Sequence, residues 1–217
     1  MQQTLFREKY SWSLRIWHWL TFIVVAALIF TVLVSDTFLD GQHTRFVITN
    51  AAERKGAILT ADQSKEMVIN LRHTIWKWHN YLGYILGGLF LFRLLLEFFQ
   101  PGEEKFISKL KKGLTASKNT TAEVKNDGRH YFFIKIIYVL FYILLTTIVI
   151  TGLWMAYYDN DPAITKETFH DVKEIHEKCY YILLVFLLLH LGGAIKAELG
   201  KDKNIISRMV NGGYYLK

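Results

Sequence analysis

The sequence predicts an all-α integral membrane protein built as a bundle of four transmembrane helices. Three observations predict it. Apolar residues gather into four runs of bilayer length, both prolines lie outside those runs, and tryptophans cluster near the run ends. About 20 apolar residues cross a hydrocarbon core as a helix. The four runs also explain why 52% of the 217 residues are hydrophobic, more than a soluble domain of this length usually carries.

The spans are read at Leu14–Val34, His79–Phe99, Tyr131–Tyr157 and Cys179–Ile195, with the last two helices continuing beyond lipid. Pro101 and Pro162 each follow a span, where neither can break a helix. Trp12, Trp17 and Trp19, then Trp76 and Trp78, then Trp154 form the expected interfacial belt. The first run is too long for the apolar region of a signal peptide, and no small-x-small cleavage pattern follows it. No internal repeat or second domain is evident, so residues 1–217 are read as one membrane domain.

Charge sets the direction. Counting Arg93, Glu97 and Lys135 at the span ends, the amino-terminal segment, the 100–130 loop and the carboxyl tail carry 17 of the 26 basic and 8 of the 19 acidic residues. The 35–78 and 158–178 loops carry 9 basic and 11 acidic. Basic loops stay inside, so both termini are expected in the cytoplasm of a bacterial inner-membrane protein. The net charge of +7 fits a membrane protein with basic inner loops, and no helix-turn-helix or aromatic-basic pattern points to nucleic acid. In the outer loops, Thr60 and Gln63 have capping-box spacing, and 60–78 is expected as a surface helix with Met67, Ile69, Leu71 and Ile75 on it. The acidic 158–175 loop is expected to be partly helical. The basic, polar 101–129 loop is expected to be flexible.

Histidine placement carries the chemistry. His43, His73, His130 and His170 fall in loops; His18, His79, His176 and His190 fall on spans or at their ends. Span direction sorts the second group into two levels, His18 with His190 near the cytoplasm and His79 with His176 near the outside. His176 and His190 are fourteen residues apart, about 21 Å and nearly four whole turns, so they share a helix face but cannot share a metal. Ionisable groups in a membrane are costly unless paired or liganded. One facing imidazole pair per level fits two bis-histidine b haems stacked across a four-helix bundle. Gly83 and Gly87, four and eight residues after His79, and Gly193, three after His190, would leave room for porphyrin. Arg15 could reach a propionate at the inner surface, and Lys77 or Arg72 at the outer. His73, turned roughly 120° from His79 on a helix, is the alternative outer ligand. Met155 is read as a packing residue. Cys179 is the single cysteine, and without a Cys-x-x-Cys-His motif covalent haem attachment is excluded.

These residues resemble the prokaryotic four-helix di-haem cytochrome b group, which includes bacterial cytochrome b561 and the b-type subunits of nickel–iron hydrogenase and formate dehydrogenase. "RIWHWL" (15–20) resembles the first-helix pattern. "HNYLGYILGGLFLFRLL" (79–95) resembles the second, "TGLWMAYY" (151–158) the ligand-free third, and "IHEKCYYILLVFLLLHLGGAI" (175–195) the fourth with its two ligands. The resemblance covers nearly the whole chain and implies the pairs His18–His190 and His79–His176. It also implies electron transfer between an extracytoplasmic redox subunit or cytochrome and a membrane quinone, with quinone at the inner end and no substrate chemistry beyond quinone redox. Lipid is the surrounding partner, and an oligomer is compatible. The loops match no one subfamily. Competing readings are a stand-alone quinone oxidoreductase using a small oxidant, and a metal or proton transporter. The latter would need acids or histidines converging at mid-membrane, whereas Glu97 is the only acid in a span and lies near its end.

Overall fold

The computed structural model describes residues 11–39, 41–99, 105–118, 122–158, 161–200 and 205–212. Among these the chain is all α. In order come α1 (Trp12–Leu33), closed by a π-helical turn at Val34–Phe38, α2 (Gly41–Glu53), α3 (Ala61–Phe99), α4 (Phe106–Ser117), α5 (Ala122–Tyr158), α6 (Lys166–Leu199) and α7 (Ile205–Asn211). Four helical stretches are long and apolar enough to cross a membrane: Trp12–Phe38, Ala61–Phe99, Gly128–Tyr158 and Lys166–Leu199. Contacts divide the chain into two compact units, Met1–Trp19 with Leu89–Lys217, and Leu20–Gly88; both boundaries cut through α1 and α3.

Local chemistry starts and stops these helices. The Leu14 amide reaches the Ser11 hydroxyl at the head of α1. At α3 the capping box forms as its spacing suggests: the Gln63 amide donates to the Thr60 hydroxyl at 3.2 Å, and the Thr60 amide donates to the Gln63 side chain at 2.9 Å. Thr165 caps α6 by accepting from the Thr168 amide at 3.1 Å. Gly56 closes α2 with φ of 76°, a conformation that side chains disfavour, while the Ala57 amide bonds back to the Ala52 carbonyl.

Three elements differ from the sequence reading. The surface helix expected over 60–78 and the span expected from His79 are one 39-residue helix, α3. No proline or glycine stands between Ala61 and Leu82, so nothing breaks the helix where it leaves water. The 101–129 loop, expected to be flexible, contains α4 and the first turns of α5. Phe106, Ile107, Leu110 and Leu114 give α4 an apolar stripe that its lysines obscure. The approach of α4 to α5 is close enough to require small residues. A Cβ on Gly128 would stand 2.6 Å from the Ala116 backbone, and one on Gly113 would stand 2.9 Å from the Tyr131 ring. The carboxyl tail also forms an unanticipated helix, α7.

The fully buried core is thin, while large side chains such as Ile182, Val185, Leu188 and Leu189 on α6 are exposed. Surfaces this apolar suit lipid, where the helix already satisfies every backbone polar group.

Candidate cofactor sites

His18 sits in the second turn of α1, held by its neighbours in sequence. The Trp17 indole N–H donates to the Leu89 carbonyl at 2.8 Å, and the Trp19 indole N–H donates to the Met209 carbonyl at 3.2 Å. Arg15 donates through Nη1 to the Val210 carbonyl at 2.8 Å. Three anchors within five residues fix the rotation of α1, and hence the direction in which His18 projects. On α6, Phe186 stacks on the His190 ring at 5.9 Å and 10°. The His18 and His190 rings then lie edge-on to each other, with centroids 6.2 Å apart and planes 60° apart.

That distance is informative. An imidazole nitrogen binds a transition metal at about 2.0–2.1 Å and its ring centroid lies about 1.1 Å further back, so two rings on opposite sides of one metal stand about 6.3 Å apart. Among the described residues, no three His, Cys, Asp or Glu side chains converge on a metal position. Two imidazoles at this separation would suit a metal held chiefly by a macrocycle. The donor set therefore fits haem iron. Among the described residues, the buried Arg15 Nε has no hydrogen-bond partner and is suited to a carboxylate.

His176 lies fourteen residues earlier on α6. Its Nδ1 is 2.9 Å from the Thr151 hydroxyl on α5, and a Cβ on the adjacent Gly152 would stand 3.1 Å from its Cε1. In the other unit, His79 on α3 has its Nδ1 2.8 Å from the Thr31 hydroxyl on α1, and Trp76 packs edge-on at 5.1 Å. His79 is half-buried, whereas His73 is exposed on the same helix. His18 and His190 are thus brought together, while His176 and His79 each meet a threonine.

The family model for prokaryotic cytochrome b561 matches residues 9–212. The chain belongs to the prokaryotic cytochrome b561 family. No curated protein and no solved structure matches it. It is a multi-pass bacterial membrane cytochrome that binds b-type haem and carries electrons.

Other predicted positions of the cytochrome can now be placed. No atom lies within 4 Å of where a Cβ would stand on Gly83 or Gly193, so both helix faces lack bulk there. Gly87 is buried on α3, and Lys77 and Arg72 are exposed. The sequence reading missed Thr31, Thr151 and Gly152. Thr151 and Gly152 stand at the head of the "TGLWMAYY" stretch, where a polar residue beside a glycine inside an apolar run was the available signal. It also missed a buried polar set that Arg93 builds near Trp17. Arg93, only 8% exposed, donates to the Tyr142 hydroxyl at 2.9 Å and pairs with Glu97 at 3.3 Å, while its guanidinium lies over the Trp17 ring at 5.8 Å.

Proposed function

We propose that this cytochrome holds two b haems, each between two histidines, and passes electrons across the bacterial inner membrane between an extracytoplasmic redox partner and quinone. The single observation that carries the reading is the 6.2 Å separation of the His18 and His190 rings. The second pair is His79 with His176, supported by their matched level in the span order and by the threonine that meets each ring.

When bound, haem would supply one-electron chemistry, and holding each haem between two histidines would suit electron transfer rather than oxygen binding. The chain's own residues do the rest. His18 and His190 would hold the inner haem, and His79 and His176 the outer. Arg15 would receive an inner propionate through Nε. Lys77 or Arg72 serves the outer propionates. Gly83, Gly87 and Gly193 keep the helix faces open beside the ligands. Basic inner segments support a cytoplasmic position for both termini. Quinone would bind at the inner end, where Arg93, Tyr142 and Glu97 supply polar and protonatable groups near Trp17 of α1. The outer loops, 35–78 and 158–178, are the surface for the redox partner; loops carry such specificity.

The test is haem counting on purified variants. His190→Ala should leave about half the wild-type haem, all of it in the outer site. Loss of both haems from folded protein would contradict separate sites.

A further inference from the structure

We propose that Thr31 and Thr151 are positioning residues that set the tautomer and electron donation of the outer haem ligands. The inference rests on the two-haem reading and adds which residues tune one of the two sites.

The geometry works through proton counting. A threonine hydroxyl has one proton to donate. The Thr31 hydroxyl lies 2.6 Å from the Leu28 carbonyl, which can only accept. Two oxygens that close need the proton between them. Toward His79, at 2.8 Å, Thr31 can therefore only accept. The donor is His79 Nδ1–H, and a neutral imidazole with its proton on Nδ1 carries its lone pair on Nε2. Thr151 repeats the arrangement. Its proton goes to the Thr147 carbonyl at 2.7 Å, so at 2.9 Å it accepts from His176 Nδ1–H. Both outer histidines are held as Nε2 ligands, each by a hydroxyl from a different helix. A coordinating histidine needs this kind of partner on its other nitrogen.

The device is one-sided. Among the described residues His18 and His190 show ring packing, against Trp19, Phe186 and each other, and no hydrogen bond to either ring. Donation from Nδ1–H makes an imidazole a more basic ligand. A more basic ligand favours ferric over ferrous iron and lowers the potential. The threonines therefore hold the outer haem's potential down and leave the inner haem's alone.

The experiment uses the full chain in detergent. Thr31→Val and Thr151→Val keep nearly the side-chain volume and remove the acceptor; Thr31→Ser and Thr151→Ser keep the acceptor; Thr151→Ala replaces the valine variant if that fails to accumulate. Haem content, a spectroelectrochemical titration and low-temperature electron paramagnetic resonance are read for each. Each hydroxyl-free variant should raise the potential of one haem, shift that haem's low-spin signal and weaken its retention about 10–100-fold. Each serine variant should match wild type. The shift should persist in His190→Ala, which keeps only the outer haem. Unchanged potentials and spectra in both hydroxyl-free variants, with two haems present, would overturn the inference while leaving the haem reading intact. Serine variants that behave like valine would also overturn it, by assigning the effect to packing. Wild-type protein without haem would overturn both.

Discussion

The two halves of helix α6 offer one comparison. At His190 the site is made by bringing ring to ring: the opposing His18 arrives because Arg15, Trp17 and Trp19 pin the first turns of α1 to backbone carbonyls. At His176, four turns away, the ring is fixed directly, by a threonine hydroxyl on α5 and the bare backbone of Gly152. His79 follows the second pattern with Thr31. On the proposed reading, the inner site would depend on helix rotation and the outer on hydrogen bonds to its histidines. Two haems held in this way would be tuned apart without a change of ligands.

Variants can break or sharpen the contrast. The largest effect is expected from His18→Ala, which should remove the inner haem and leave about half the haem per chain by pyridine haemochrome. Next is Arg93→Ala. It strips Glu97 and Tyr142 of their cation near Trp17, and losing one partner of a buried pair costs about 3 kcal/mol, at the low end here because Glu97 is partly exposed. The thermal midpoint in detergent should fall, with the outer haem's spectrum unchanged. Gly152→Ala should act on the other site alone. Its new methyl must displace the His176 ring by a few tenths of an ångström, an overpacking cost of about 1–3 kcal/mol. One haem's absorption band should broaden while the other's stays fixed. Thr60→Ala removes the cap of α3 at about 1 kcal/mol and should move neither band. His73→Ala should change nothing measurable, since that ring is exposed; loss of one haem would move the outer ligand from His79 to His73.

Much of this was legible in the sequence. Bilayer-length runs, prolines and tryptophans mark the four spans because lipid imposes length and polarity directly. The Thr60–Gln63 cap was readable because it is local. The four histidines stood out because an ionisable group in an apolar run needs a reason. Other features depend on long-range packing. Arg15 was expected to serve a propionate, and no spacing rule could have shown that one of its nitrogens is anchored to the Val210 carbonyl, 195 residues away. The roles of Thr31 and Thr151 depend on which helix face meets which ring. In an apolar run, a threonine bonded to its own helix looks the same in sequence as one that also meets a histidine. The helicity of α4 was hidden because its lysines outweigh a four-residue apolar stripe.

The most direct test is a reduced-minus-oxidised visible spectrum of the purified full-length protein, paired with a pyridine haemochrome count. Two non-covalent b haems per chain, both low-spin, are predicted. A single haem, or none in protein expressed with ample haem supply, would contradict the two-site account.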